Sequence, residues 1–556
     1  MSRFGYVQIA AVLLLASSLL IGLAFAALLP PFEGFDETAH YSYLAQIAET
    51  GTWPRLSDPL AADVSDYLNA APSASSLHSR WSYRAFFSSS PDNISRGRAA
   101  ARAPRDPSRP WRPAIGTANW EGQQPPLYYA MLAPAFRLSM GWSLERQLVL
   151  LRSISYFVAW LGLCIVTVGT GTKIGSDISE KAMSALAPAL WPAIFPMWFV
   201  EMGRLGNDCL VAFWAACAAV LIPRIDFKAG LLNHLTLGII CGLGLLTKAT
   251  FLPLTAAIFL ILSYRLLITK SNKQEFRPLA RGLAVFTIIT LLIAGWWYIN
   301  NLYHMGTLIG SNDEAHLPKG NLLALALSKI QTVPTQAFLG PVGIVTSFLW
   351  VGTWSFVVPR LVSELPLAAL VAVVVAGYIR ASIRSPPRLF ERIYPLTFVL
   401  FVGGLLREAL IMLVEFGTLT VPAWYIHSLA PLFAPMLGRG LAEAGHWRSI
   451  RPFVGALLVF PIFFLPFGTG ILALYYAGCG DQHLGHSFSS VRWCISNPGA
   501  VVHNLSVLSD PHLSMALLVV GWILMLIASI LSVRIWFRCA TTNFKTELRE
   551  PPSTGW

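Results

Sequence analysis

Charged residues are scarce in this chain. Aspartate, glutamate, lysine and arginine together make up 12% of its 556 residues, whereas soluble proteins carry about 25%. Hydrophobic residues make up 55%, and the mean hydropathy is +0.58. This composition excludes an ordinary soluble globular domain. Paired Cys-x-x-Cys spacing is missing among the seven cysteines, which argues against a zinc site.

Long apolar runs are what the chain has instead. Runs of roughly 17–25 residues suit helices that cross a bilayer, and they are continuous rather than alternating. The sequence therefore predicts an all-α polytopic membrane protein with about 12 transmembrane helices. Segment 338–358 is also apolar and is interpreted as an interfacial or re-entrant piece; if it spans, the count changes. The crossings are expected at roughly 6–29, 153–171, 182–200, 208–223, 230–247, 249–268, 281–299, 360–379, 393–415, 425–443, 453–476 and 513–535.

The net charge of +12 comes mainly from basic residues in short loops such as 380–392. Such loops are typical of the cytosolic side of membrane proteins, so the charge does not imply a nucleic acid partner. This distribution places both termini in the cytosol and the loops 31–123 and 477–512 outside. The first apolar run is interpreted as an uncleaved helix, with a cleaved signal peptide as the alternative.

Two cysteines share the last outer loop. Cys479 and Cys494 lie on the side of the membrane where disulfides form and persist. We expect a disulfide between them; the alternative is two free thiols.

The first outer loop divides into three parts. Residues 36–50 predict an amphipathic surface helix that ends at Gly51. Residues 57–118 are rich in serine, proline and arginine and are expected to be irregular. A short apolar stretch that follows Pro125 and ends near residue 141 is expected to lie in the outer interface, because it is short for a span.

An acidic cluster follows the first apolar run directly. The segment 30–40, PPFEGFDETAH, contains Glu33, Asp36, Glu37 and His40. In a helix that begins near Asp36, two acids and the imidazole share one edge. Such a group suits a divalent cation, Mg²⁺ or Mn²⁺, or a carboxylate that acts as a general base. The alternative is helix capping by Asp36, with Glu37 favoured by the helix dipole.

A second acidic position, Asp208, lies in another outer loop. It begins an apolar helix, so it suits a helix cap, and it also suits an ion pair with Arg204 across one turn. Two acidic loops on one face of a helix bundle nevertheless predict a shared site. Asp36, Glu37 and Asp208 are therefore the candidate catalytic residues, and the same three residues with His40 are the candidate metal ligands.

Three cations near or within predicted helices are candidates for binding a lipid phosphate. Arg152 and Lys248 lie near the outer boundary, and Arg407 lies deep in the ninth predicted helix beside Glu408. Ionisable residues inside membrane helices are costly and are treated as functional candidates. The alternatives are an internal ion pair for Arg407 and extension of Lys248 to the interface.

The motifs together resemble those of a known superfamily. The acidic segment, then QPPLYY at 124–129, ND at 207–208, LTK at 246–248 and GWWYINN at 295–301 resemble the GT-C superfamily of membrane glycosyltransferases. That superfamily includes protein O-mannosyltransferases, aminoarabinose transferases and arabinofuranosyltransferases. The resemblance covers residues 1–310 well and predicts a catalytic module there, with 311–556 as a variable C-terminal module.

The resemblance implies a polyprenyl-phosphate-linked sugar as donor and a site on the non-cytosolic face. It matches Asp36 to the catalytic base, Glu37 to its acidic neighbour and Asp208 to the acid of the second outer loop. It also places Arg152 and Lys248 towards the lipid phosphate. The segment Ala423–His427 departs from the superfamily, because relatives often carry Gly-Arg-Tyr there.

The sequence thus predicts an inverting glycosyltransferase of a bacterial inner (plasma) membrane, with its site facing the periplasm or exterior. A glycan, a lipid or a protein would supply the acceptor hydroxyl. A lipid or glycan transporter and a non-catalytic scaffold of the cell envelope are the alternatives. A transporter would keep its ionisable groups along a path near mid-membrane, whereas these residues gather at one mouth.

Overall fold

The structure is a computed structural model that is mostly helical. Parts of the predicted loop 477–512 and the end of segment 338–358 lie outside the described residues. The residues that the structure describes are 3–74, 79–104, 111–170, 178–225, 230–310, 317–318, 320–356, 363–480 and 488–547.

The helices are numbered in chain order. They are α1 Arg3–Leu28, α2 Glu37–Thr50, α3 Ala62–Ala70, α4 Tyr83–Phe87, α5 Pro91–Arg102, α6 Leu127–Leu138, α7 Leu144–Thr170, α8 Ile178–Ile194, α9 Met197–Gly203, α10 Asp208–Leu221, α11 Leu231–Leu245, α12 Leu252–Ile268, α13 Lys273–Thr290, α14 Trp296–Met305, α15 Leu322–Thr332, α16 Gln336–Leu349, α17 Leu365–Arg384, α18 Ile393–Phe416, α19 Ala430–Gly445, α20 Arg451–Tyr476, α21 Phe488–Ser496, α22 Pro498–Leu508 and α23 Pro511–Glu547. Short 3-10 turns lie at Ile222–Arg224, Ala249–Phe251, Phe390–Arg392 and Ala423–Leu429, and a π-helical turn at Leu291–Gly295 joins α13 to α14.

Among the described residues, eight helices are long and apolar enough to cross a membrane, or up to ten if each of two bent pairs is one span. The chain is therefore an integral membrane protein, but the expected count of about 12 is not confirmed. The difference arises because α10, α11 and α19 have only 14, 15 and 16 residues. The pair α15 and α16, which overlaps the segment 338–358, is bent by 109°, as in a broken span or a re-entrant segment.

The first long loop is folded, so the expectation that 57–118 is irregular is wrong. Strands β1 Pro59–Ala61 and β2 Pro113–Ala118 pair antiparallel, and α3, α4 and α5 lie between them in the chain. Some of the serines and prolines that suggested irregularity lie at helix starts. Ser82 accepts a hydrogen bond from the third residue of α4, and Pro91 opens α5, which are favoured positions for these residues.

Helix α2 is buried rather than lying on the surface. All its residues from 37 to 46 are buried, because the folded loop and α6 cover it on several sides. The Tyr43 ring stacks on Tyr129 with centroids 3.7 Å apart, and the Ser42 hydroxyl accepts the N–H of Ala61 at 2.9 Å. The helix ends at Gly51 with φ 72°, as predicted.

The two ends of the chain pack together. Helix α1 lies against α23, and the N–H of Asp510 donates to the carbonyl of Ala27 at 3.3 Å. Cys479 and Cys494 form a disulfide, which joins the end of α20 to α21.

Candidate functional site

Asp36 is the partly exposed residue of an otherwise buried acidic loop. Within the segment 30–40 every other residue is buried. Asp36 precedes α2, yet its side chain makes no capping hydrogen bond, and its backbone is left-handed with φ 57°. Such a conformation is uncommon for a residue other than glycine and clusters at functional sites. The carboxylate Oδ1 accepts the indole N–H of Trp120 at 2.9 Å, so capping does not account for this residue.

Glu37, the next residue, is sealed in an ion pair. Nε and Nη2 of Arg152 donate to its two carboxylate oxygens at 2.7 and 2.6 Å, and both side chains are at most 1% exposed. The N–H groups of Gly34 and Leu205 donate to the same carboxylate at 3.0 and 2.8 Å. Burial alone would raise the pKa of Glu37, but the charge and hydrogen bonds of Arg152 hold it below its usual value.

Arg152 has all its donors occupied within the protein. Its remaining N–H groups donate to the carbonyls of Ala26, Leu29 and Pro30 at 3.4, 2.5 and 2.8 Å. Together with the two bonds to Glu37, these account for all five N–H groups of a guanidinium. The predicted contact of Arg152 with a lipid phosphate does not fit this arrangement. The side chain instead ties the end of α1 to the acidic loop.

The acidic loop is joined directly to the loop between α9 and α10. Leu205 donates to Glu37, as described above, and Nη1 of Arg204 donates to the carbonyl of Phe35 at 2.8 Å. Gly34 permits this approach, because a Cβ there would lie 2.6 Å from the Arg204 Cβ and from the Glu37 Cδ. The two acidic loops therefore converge, as the sequence analysis predicted.

Arg204 and Asp208 form the centre of a buried charged cluster. Arg204 binds both carboxylate oxygens of Glu201 at 2.7 and 3.0 Å and Oδ2 of Asp208 at 2.7 Å. The ammonium of Lys248 reaches the same Oδ2 at 2.7 Å. All four side chains are at least nine-tenths buried. Oδ1 of Asp208 has no hydrogen-bond partner among the residues described.

Lys248 is the second cation that binds Asp208 in this cluster. Nδ2 of Asn207 donates to the carbonyl of Thr247 and to Oε1 of Gln124, both at 3.2 Å, and this fixes the turn before the lysine. The Lys248 ammonium lies 4.3 Å from the centroid of the Tyr425 ring, a cation–π distance. Of its three N–H groups, one is directed to Asp208, which leaves donors for an anion.

Glu121 is a site residue that the sequence analysis missed. It lies in the segment before QPPLYY, and its N–H donates to Oδ1 of Asn119 at 3.0 Å. The side chain is buried, and burial followed by the charge of Asp36 raises its pKa to about 8, against the opposing charges of Lys248 and Arg204. The Glu121 carboxyl thus lies within electrostatic range of both Asp36 and Lys248.

The four predicted metal ligands do not form a metal site. His40 Nδ1 is bonded to the hydroxyl of Tyr129 at 2.7 Å, and burial lowers the pKa of His40 well below its usual value. Both oxygens of Glu37 and one of Asp208 are occupied by cations, and Asp36 is bonded to an indole. No group of three or more potential ligands is arranged for a metal ion in the described ranges. The residues present do not fit Mg²⁺ or Mn²⁺.

Glu33, the first acid of the loop, faces away from this cluster. Its Oε1 accepts the N–H of Ala74 at 2.7 Å and the hydroxyl of Tyr83 at 2.8 Å. The side chain is fully buried, and burial raises its pKa to about 7. Glu33 therefore connects the acidic loop to the folded outer segment.

Arg407 lies on the exposed surface of α18. The buried cluster takes its cations from Arg204 and Lys248, so the structure gives Arg407 no part in it. Its predicted contact with a donor phosphate stays a prediction.

The predicted C-terminal module also reaches the site. Tyr425 contacts Lys248, and the neighbouring Trp424 ring stacks on Phe35 of the acidic loop with centroids 4.2 Å apart. Both residues belong to the segment that departs from the superfamily motif. Tyr425 is partly exposed.

Comparison with known proteins gives similar structures but no similar sequences. No protein-family model and no curated protein matches the chain. ArnT from Cupriavidus metallidurans bound to undecaprenyl phosphate is 12% identical over 100% of this chain and 82% of ArnT, with a TM-score of 0.44. The oligosaccharyltransferase AglB from Archaeoglobus fulgidus, in complex with an inhibitory peptide and a dolichol-phosphate, is 13% identical over 92% of this chain and 56% of AglB, with a TM-score of 0.40.

ArnT and AglB are members of the GT-C superfamily, the superfamily that the sequence motifs resemble. Similarity at these TM-scores assigns no role to any residue of this chain.

Proposed function

We propose that this chain is a GT-C type glycosyltransferase that moves a sugar from a polyprenyl-phosphate-linked donor to an acceptor hydroxyl. The observation that carries the proposal is the isolation of Asp36. It is the partly exposed carboxylate of a buried acidic loop, held in a left-handed backbone conformation. That loop joins the cluster in which the Lys248 ammonium directs one N–H to Asp208. A carboxylate and a cation at the ends of membrane helices suit a donor whose tail stays in lipid.

Asp36 acts as the general base. The acceptor oxygen attacks the anomeric carbon, its proton passes to the Asp36 carboxylate, and the bond between that carbon and the phosphate oxygen breaks. Attack opposite the leaving group inverts the anomeric centre. A positioned base of this kind typically contributes 10²–10⁴-fold to the rate. The indole N–H of Trp120 holds one oxygen of Asp36 and so orients the other towards the acceptor.

Lys248 receives the departing phosphate. Its ammonium is oriented by Asp208 and by the Tyr425 ring, and it supplies charge-assisted hydrogen bonds to the phosphate oxygens. Asp208, Arg204 and Glu201 position that ammonium, and Glu37 with Arg152 positions the loop that carries Asp36. The positive-inside distribution of basic loops supports a site on the extracytoplasmic face, with both termini in the cytosol.

The test is transfer of radiolabelled sugar from a panel of polyprenyl-phosphate sugars by the full-length protein in proteoliposomes. The expected result is release of polyprenyl phosphate by the wild type and a loss of at least about 100-fold in Asp36→Asn. The matched control is Asp92→Asn, which changes an exposed acid on α5 and should retain full activity. Intact lipid-linked sugar that crosses the bilayer without release would identify a transporter and refute the proposal, as would full activity of Asp36→Asn.

A further inference from the structure

We propose that Glu121 binds a hydroxyl group of the transferred sugar through its carboxyl oxygen Oε2. This inference rests on the function proposed above and adds to it a residue that recognises the sugar. Three observations support it: the position in which the turn holds Glu121, the missing hydrogen-bond partner of its Oε2 among the described residues, and the charges that surround it.

Glu121 is anchored to the same helix start as Asp36. The side chain of Trp120 donates to Asp36, and Nδ2 of Asn119 donates to the carbonyl of Ala39 in the first turn of α2 at 3.2 Å. Asp36 itself and Ala39, at the start of α2, thus hold the turn that carries Glu121. The carboxyl group is therefore brought beside the proposed base by contacts that do not involve the carboxyl itself.

The turn is also fixed on its other side. Gly122 packs so closely on the preceding outer segment that a Cβ would lie 2.7 Å from the carbonyl oxygen of Arg55. The carbonyl of Gln123 accepts the indole N–H of Trp297 at 3.2 Å and Nδ2 of Asn301 at 3.4 Å. Glu121 is thus mounted on a rigid turn between α2 and α14, as a binding group should be.

The carboxyl group lacks a partner that its burial demands. Glu121 is 8% exposed, and its Oε2 has no hydrogen-bond partner within the described part of the chain. Most buried polar atoms in folded proteins are bonded, and an exception at a site needs an explanation. A hydroxyl of a bound sugar supplies the missing partner.

The surrounding charges favour a hydroxyl over an anion at this position. With its pKa raised to about 8 by burial and then by Asp36, the carboxyl is mainly protonated at neutral pH. It then both donates and accepts, as a sugar hydroxyl does, whereas Lys248 offers only donors and suits the phosphate. The charged and titratable groups that face Glu121 are Asp36, Lys248, Arg204, Asp208, Tyr43, Tyr129 and Tyr425.

The experiment compares binding of two lipids to the full-length protein in nanodiscs. One is a polyprenyl-phosphate sugar that the wild type uses, and the other is the same polyprenyl phosphate without the sugar. Glu121→Ala should weaken binding of the first by about tenfold and leave binding of the second unchanged. Lys248→Met should weaken both. Glu145→Gln, on α7 outside the cluster, should weaken neither.

A second measurement does not depend on any variant. Donors in which single sugar hydroxyls are replaced by hydrogen should include one that binds the wild type about tenfold more weakly. An equal effect of Glu121→Ala on both lipids, no effect on either, or tolerance of every deoxygenated donor by the wild type would overturn the inference. A wild type that binds neither lipid would instead count against the proposed function itself.

Discussion

Asp36 and Glu37 are neighbours in the chain, but their carboxylates differ in burial and in the number of hydrogen bonds that they accept. The Glu37 carboxylate accepts four hydrogen bonds, two of them from Arg152, and is completely buried. The Asp36 carboxylate is partly exposed and has the Trp120 indole as its partner among the described residues. A saturated carboxylate stabilises a fold, whereas one with free lone pairs can take a proton.

The same contrast separates the two cations predicted to bind phosphate. Arg152 has every N–H engaged, while the Lys248 ammonium directs one of its three N–H groups to Asp208. Burial of charge is therefore not by itself a sign of function in this protein. The number of unused donors and acceptors distinguishes a positioning pair from reacting groups.

Breaking the Glu37–Arg152 pair should give the largest effect and separate stability from activity. Arg152→Met leaves a buried carboxylate without its cation, which typically costs about 3–5 kcal/mol. Glu37→Gln should also lower the unfolding temperature, because the buried guanidinium loses its counter-charge. Asp36→Asn should leave the unfolding temperature unchanged while abolishing transfer. Thermal unfolding in detergent, followed by tryptophan fluorescence, measures each.

The double variant Glu37→Gln, Arg152→Met sharpens this prediction. Because each partner's loss is harmful mainly through the charge left behind, the double variant should be less destabilised than the sum of the singles. Simple additivity would show that the pair is not coupled. If Asp36→Asn unfolds at as low a temperature as Arg152→Met, then Asp36 also stabilises the fold and does not differ from Glu37 in this respect.

Glu33 and Glu37 should respond to pH in opposite directions. Burial raises the pKa of Glu33 from 4.5 to about 7, so the folded protein keeps a proton that the unfolded chain releases. The stability that Glu33 contributes is fully present below pH 4.5 and is lost as the pH rises to about 7, a change of about 3 kcal/mol at most. Glu37, whose pKa is lowered, contributes stability that is lost on acidification.

Unfolding temperatures of Glu33→Gln and the wild type between pH 5 and 8 test this opposition. The variant should lose less stability than the wild type as the pH rises, because its amide cannot ionise. Parallel curves for the two proteins would contradict the prediction. Asp92→Asn, which changes an exposed acid on α5, is the control and should follow the wild type.

Gly34 tests how tightly the two acidic loops must meet. A methyl group at this position would contact the side chains of Arg204 and Glu37 at 2.6 Å, so Gly34→Ala should cost about 1–3 kcal/mol of stability. Gly141→Ala is the matched control, because its added Cβ has nothing within 4 Å. Equal unfolding temperatures for the two variants would mean that the loops can separate without loss.

The acids were identifiable from the sequence, but their partners were not. Hydropathy predicted the membrane class, and the PPFEGFDE segment made Asp36 a candidate, since an acidic cluster beside an apolar run is conspicuous. Arg152 and Lys248 have the same residue class and a similar position relative to predicted helices, so sequence alone assigned both to phosphate. Their difference depends on contacts with Glu37 and Asp208, 115 and 40 residues away.

Glu121 and Tyr425 show why the other residues near the site could not be selected from the sequence. Glu121 is one acid beside a motif, and its importance comes from a buried oxygen without a partner, which only the folded turn reveals. Tyr425 lies in the segment where the superfamily pattern fails, so the pattern gave no reason to select it. The prediction that α2 lies on the surface was wrong for a similar reason. The elements that cover this helix come from a loop whose composition suggested irregularity.

Replacing Tyr425 should give the smallest effect, and it tests the contact between its ring and the Lys248 ammonium. Its ring contacts the Lys248 ammonium, a contact worth about 0.5–2 kcal/mol depending on burial. Tyr425→Leu should therefore weaken binding of polyprenyl phosphate by about fivefold, while Tyr425→Phe, which keeps the ring, should bind nearly as the wild type does. If Phe and Leu weaken binding equally, the hydroxyl rather than the ring matters. In that case Asp208 would orient the Lys248 ammonium. The Tyr425 hydroxyl, rather than its ring, would be what the C-terminal half contributes to binding.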